Sequence, residues 1–123
     1  MKRENVIQEK SFNFAVRMVK AYQFLTTNKK EFVLSKQLLR SGTSIGANVS
    51  EASGAVSEAD FSSKISIAYK ECLETKYWIS LLKTDGFIEE DVHDSLYTDA
   101  DEIGKILFTI LKTTRIISAT NDQ

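Results

Sequence analysis

"RSGTSIGANVSEASG", residues 40–54, crowds three glycines and four serines into fifteen positions. Three structures compete for such a stretch: a phosphate-cradling turn, a flexible linker, or a helix built from small side chains. A Walker-type loop needs a lysine and then Ser or Thr after the second glycine of G-x-x-x-x-G. Here the spacing is G-x-x-x-G, from Gly42 to Gly46, with Ala47 and Asn48 following, and no G-x-G-x-x-G occurs. A linker fits poorly, because Leu34, Leu38, Ile45, Val49, Ala52 and Val56 carry an apolar stripe at helical spacing straight through the glycines. The stretch reads as helix. Each interior glycine costs about 1 kcal/mol, so three of them call for about 3 kcal/mol of compensation, which close packing of another backbone supplies.

Working outward, three more stretches carry the 3.6-residue apolar period. The first spans about residues 5–27, with Ala15, Met18, Tyr22 and Leu25 on one stripe and Phe14 beside it. The glycine-bearing helix spans about 32–54. A third opens at Ser57, with Asp60 three residues on as a capping-box variant, and runs through Phe61, Ile65, Ala68, Cys72, Thr75, Ile79 and Leu82. Gly86 closes it in the left-handed conformation. The fourth spans about 89–119, seamed by Val92, Leu96, Ile103, Leu107, Ile110 and Ile117, with acids in its first turns where they suit the helix dipole. The chain contains no proline, no strand pattern and no repeat. Four helices joined by short breaks within 123 residues predict an all-α fold, an antiparallel up-down-up-down four-helix bundle forming one domain over 1–123.

On a helical wheel the second helix shows an apolar seam, a smooth strip of Gly42, Gly46, Ser50 and Gly54, and a polar face of Arg40, Ser44, Asn48 and Glu51. Between positions 41 and 57 only Glu51 is charged. A bundle helix normally fills its outer side with Lys and Glu. The missing charge implies contact with a neighbouring subunit as well as with its own core, the glycines permitting the close approach of small-xxx-small pairs. The third helix repeats the pattern, with Ile67, Glu71, Glu74, Trp78 and Leu81 opposite its seam, a mixture typical of interfaces. Antiparallel pairing about a turn near residue 56 sets Arg40 level with residue 72, which predicts an ion pair from Arg40 to Glu71 or Glu74, within or between subunits.

Charge and reactive side chains narrow the chemistry. Residues 1–40 hold nine Lys or Arg against three Glu, whereas residues 41–123 hold seven against fourteen acids. Arg17, Lys20, Lys36 and Arg40 are the candidate nucleic-acid contacts within that basic part. The positive field is opposed at home, because an up-down bundle places Lys29 and Lys30 at the same end as the eight acids between Asp85 and Glu102. Catalysis needs a nucleophile with a base or a set of clustered ligands, and a single Cys and a single His far apart in sequence supply neither. Cys72 on an apolar seam reads as a core residue. His93 among Glu89, Glu90, Asp91 and Asp94 reads as a solvated helix start, without the loop a divalent ion needs. No enzyme, metal or cofactor is expected. With no apolar run of membrane length and one cysteine, the expected compartment is the reducing cytoplasm.

The same residues carry a family resemblance. "EKSFNFAVRMVKAYQFL", "EFVLSKQLLRSGTSIGANVSEASGA", "DFSSKISIAYKECLETKYWISLLKTDGFI" and "DEIGKILFTILKTTR" resemble the bacterial four-helix-bundle family of 23S ribosomal RNA intervening-sequence proteins, over nearly the whole chain. The resemblance implies an antiparallel bundle that assembles into a ring-like homopentamer, with no established enzymatic activity. A related branch assists reverse transcriptases by binding nucleic acid and protein. It marks Arg40, Ser41, Gly42, Ser44, Ile45, Asn48, Glu51 and Glu74 as assembly and structural residues. The expected function is therefore a homo-oligomeric adaptor that binds RNA, DNA or a nucleic-acid-processing protein; the alternative is a protein–protein scaffold with no nucleic-acid affinity. The expected oligomer contacts are Arg40, Gly42, Gly46, Asn48, Ser50, Glu51, Glu71, Glu74 and Trp78.

Overall fold

The computed structural model describes the backbone of residues 3–121 and the side chains of residues 6–114. Four helices follow one another: α1 (Arg3–Asn28), α2 (Leu34–Ala52), α3 (Glu58–Thr84) and α4 (Glu90–Asn121). Ile7, Phe14, Met18 and Leu25 sink the inner stripe of α1 into the core, while Ala15 and Tyr22, expected on that stripe, are half-buried at its edge. The α3 seam is buried from Ile65 through Ala68, Cys72, Thr75 and Ile79 to Leu82, with Phe61 half-buried at its start.

The helix ends explain where the chain turns. Ser57 caps α3 by accepting from the Asp60 N–H at 3.0 Å, the first half of the capping box; the Asp60 carboxylate reaches one residue past the cap and accepts from the Val56 N–H at 3.3 Å. Gly86, with φ of 81°, closes α3 as the Phe87 N–H returns to the Leu82 carbonyl at 2.9 Å. The end of α1 uses the same left-handed device without glycine. Lys30 sits at φ 54°, which brings the Glu31 N–H to the Leu25 carbonyl at 3.0 Å.

Two boundaries differ from the periodicity. The second helix starts at Leu34 rather than near 32 and stops at Ala52, so Gly54 lies in the turn beyond it and Val56, read as part of the stripe, is 92% exposed. Spacing alone continued the stripe, whereas the Ser53 hydroxyl and N–H bond back to the Ser50 carbonyl and finish the helix first. On α4, Val92 is half-exposed because the first turn stands at the rim of the bundle; Leu96, Ile103, Leu107 and Ile110 are buried as expected, and the side chain of Ile117 lies outside the described residues.

Every neighbouring pair is antiparallel. Gly42 meets Met18 and Gly46 meets Ser11; Arg40 meets Glu71 and Glu51 meets Lys64; Lys76 meets Asp101 and Lys83 meets Glu90; Lys10 meets Glu102 and Arg17 meets Asp99. The helices thus stand in the order α1, α2, α3, α4 around one shared core, an up-down-up-down bundle. Consecutive helices pack closely, and α1 touches α4 far more sparsely.

Candidate assembly and nucleic-acid surfaces

Within the strip of α2, Gly42 and Gly46 are met by α1 of the same chain, while Ser50 stays exposed. A Cβ on Gly42 would overlap the Met18 side chain, and one on Gly46 would lie 3.1 Å from the Ser11 backbone oxygen. Gly42 and Gly46 therefore let α1 approach α2 within the bundle, the compensation a helical glycine requires. Only two of the three glycines are helical, so the cost to offset is about 2 kcal/mol. A wheel drawn for one helix showed an empty strip; it could not show which neighbour filled it.

The polar face of α2 docks on α3. The Arg40 guanidinium donates to Glu71 at 3.2 Å and to Glu74, while its Nε donates to Gln37 at 3.1 Å. Trp78 Nε1 donates to the same Glu74 oxygen at 2.9 Å, and Tyr77 stands edge-on to the indole at 5.0 Å. Behind this exposed cluster the Thr75 hydroxyl donates to the buried Ser41 hydroxyl at 2.9 Å. The predicted Arg40 pair thus forms, within one chain, and gathers Arg40, Glu71, Glu74 and Trp78 in one groove. Asn48 instead bonds within its own helix, to the Ser44 carbonyl at 2.9 Å and hydroxyl at 3.1 Å. Glu51 is largely exposed and lies 3.7 Å from Lys64.

What remains open on α2 is its outer edge toward α1. Thr43, Gly46, Ala47, Ser50 and Ser53 form one wall of a shallow groove whose other wall is Gln8, Phe12 and Ala15. Phe12 is 67% exposed, and Val16 and Val19 continue the apolar edge along α1. No residue lining the groove carries a charge. Of the expected oligomer contacts, Gly46 and Ser50 therefore lie here, Gly42 is sealed inside, and the Arg40 group occupies the next groove round. Phe12, Val16 and Val19 form an exposed apolar edge that the sequence reading did not single out, although their spacing of four and three on the side of α1 away from Phe14 and Met18 is a readable signal.

The four candidate nucleic-acid contacts do not form one patch. Arg17 pairs with Asp99 at 2.5 Å and donates to the Ser95 hydroxyl at 2.9 Å, on the α1–α4 side. Arg40 is held by carboxylates on the α2–α3 side, opposite in the order of helices. Lys20 and Lys36 are exposed, and among the described residues neither lies in an ion pair. Neutralisation also runs differently from expectation. It runs through Lys10–Glu102 at 2.6 Å and Arg17–Asp99 on the flank of α4, and among the described residues no ion pair includes Lys29 or Lys30; Asp101 on the same helix is taken by Lys76 of α3 at 2.8 Å. The Asp101 carboxyl is held below its ordinary value by hydrogen bonds from Lys76 and Lys105.

Three residues show what the remaining chemistry does. Cys72 is fully buried, with Sγ donating to the Ala100 carbonyl at 3.0 Å, and burial pushes its thiol up to about 11. That places it as a core residue rather than a ready nucleophile. Its sulfur rests against Gly104, whose missing side chain lets α4 close on α3, a role the sequence reading overlooked. His93 bonds to Asp94 at 2.9 Å and stacks on Tyr97 at 5.3 Å.

These features define an all-α bundle distinguished by its contact surfaces. The chain belongs to the 23S rRNA-intervening sequence protein family, whose profile matches residues 3–109. It is similar to a solved structure from Bacteroides thetaiotaomicron, described as a protein of unknown function from the S23 ribosomal protein family. The two are 50% identical with a TM-score of 0.89, over 90% of this chain and 99% of the other. A comparison with curated proteins returns no match. Among the described residues no helix is long and apolar enough to cross a membrane.

Proposed function

We propose that this chain is a non-catalytic cytoplasmic assembly module that forms a homo-oligomer through its α1–α2 face and serves as a scaffold for a protein partner. The observation that carries the reading is the uncharged groove lined by Phe12, Ala15, Thr43, Ala47 and Ser50, with Val16 and Val19 exposed farther along α1, where a free-standing bundle would place Lys and Glu. The family resemblance supports a ring-like pentamer. Light scattering on the purified chain tests this: a mass several times 13.9 kDa is expected, and five times that value for the pentamer. A Phe12→Glu/Val16→Glu variant should run as a folded monomer, because two carboxylates cannot be buried unpaired in the contact. A monomeric wild-type chain at working concentration overturns the reading.

A second reading, an adaptor for RNA or DNA, is favoured by the exposed Lys20, Lys29, Lys30 and Lys36, which repetition in an oligomer would multiply. A titration with structured RNA at low and moderate salt separates the two. Affinity that falls steeply with salt and weakens in Lys20→Glu/Lys36→Glu supports the adaptor; an oligomer with no RNA affinity leaves the scaffold.

A further inference from the structure

At the end of the bundle holding the α1–α2 and α3–α4 turns, the sparse contact between α1 and α4 opens into a cleft of about 380 Å³. All four helices contribute to its floor, through Leu25, Leu38, Ile79, Leu82 and Leu96, each buried in the core. The turn residues Phe87 and Ile88 form one end, and the half-exposed rings and methyls of Phe24 and Val92 stand at the mouth. The lining is overwhelmingly apolar, so it offers no hydrogen-bonding edge to a nucleobase, a sugar or a peptide backbone.

The mouth is charged, and unevenly so. Arg17, Lys20 and Lys29 border it against the single carboxylate of Glu89. Arg17 is already committed to Asp99 and Ser95, whereas Lys20 and Lys29 lie in no ion pair among the described residues. An apolar chamber with two available ammonium groups at its entrance complements a molecule with a hydrocarbon body and an anionic head. The volume is near the lower end of ligand pockets, which run from about 300 to 1,000 Å³, and suits a chain of about eight to twelve carbons.

We propose that the α1–α4 cleft binds a medium-chain acyl carboxylate, its chain along the accessible apolar surface of Ala21, Phe24, Phe87 and Val92, over the buried leucines, and its carboxylate at Lys20 or Lys29. The site shares no lining residue with the uncharged α1–α2 groove. Binding inserts the chain where two helices already stand apart, so no packed contact between consecutive helices is broken.

Isothermal titration calorimetry of the full chain with hexanoate, octanoate and decanoate, all below their micellar range, tests this. One saturable site per chain is expected, with affinity rising about tenfold for each two methylenes added, as burial of hydrocarbon dictates. Decylammonium, with the same body and the opposite charge, should bind at least about tenfold more weakly. Ala21→Trp fills the cleft from its α1 wall and should abolish decanoate binding in a chain that still gives the helical circular dichroism of the wild type. Lys20→Glu/Lys29→Glu alters only exposed positions and should weaken decanoate about tenfold while leaving decylammonium no weaker. If Ala21→Trp does not fold, the lysine pair alone decides. Absence of saturable binding, equal affinity for decanoate and decylammonium, or unchanged decanoate binding in a folded Ala21→Trp chain overturns the proposal.

Discussion

The carboxylate of Glu31 accepts from the N–H groups of Val33, Leu34 and Ser35 at 3.1, 2.9 and 2.6 Å, serving the first donors of α2 from a buried position. Burial by itself would raise its pKa, yet the backbone donors outweigh that effect and hold it below the ordinary 4.5. A depressed folded value makes the stabilisation complete above the ordinary carboxylate range and lost as pH falls through the folded value. Glu31→Gln should therefore cost about 1–2 kcal/mol at pH 7 by urea denaturation, and the gap to wild type should narrow below about pH 4. Nothing in "TNKKEF" announces this cap, because the usual signal is Ser, Thr, Asp or Asn at the boundary, and Glu31 reaches in from outside it. Gly42 is the opposite case, legible as a helical glycine but not in its direction. Gly42→Ala drives a methyl into the buried Met18 side chain and should destabilise the fold by about 1–3 kcal/mol despite the better helix propensity of alanine, a loss that thermal melting will reveal.

Between elements, the sequence carried most of the fold. Ser57 with Asp60 and the glycine at 86 set the ends of α3, and its seam was readable because apolar residues step by four and three without interruption. The ends of α1 and α2 were less readable, since a lysine adopts the left-handed turn at Lys30 and Val56 mimics one more step of the stripe. The α2–α3 register was legible from turn position alone, and it placed Arg40 beside Glu71 and Glu74. Arg40 is half exposed, so water screens the pair. A double-mutant cycle of Arg40→Ala and Glu71→Ala should give a coupling of about 0.5–1 kcal/mol. Glu71 is the cleaner partner, because Glu74 also accepts from Trp78. A coupling indistinguishable from zero would mean that the pair positions α2 on α3 without stabilising it.

Across the whole molecule, the acidic second part of the chain answers the basic first part through Lys10–Glu102 and Arg17–Asp99 on α4 and through Arg40 with Glu71 and Glu74 on α3, which composition foresaw in sum and not in place. Candidate contact surfaces were the least legible level. One helix wheel separates seam from surface, but which neighbour covers a strip depends on how all four helices stand together; Gly42 is covered by Met18 of its own chain, while Phe12 stays exposed. The four sides of this bundle are also unequal. Consecutive helices pack closely on three of them, while the side between α1 and α4 is bridged chiefly by Lys10–Glu102 and Arg17–Asp99, pairs open to water and therefore weak. Thermal breathing parts a structure where the fewest apolar contacts must be given up. The door into the interior thus lies along that side, and dissolved ions, which loosen those two latches, set how often it stands ajar.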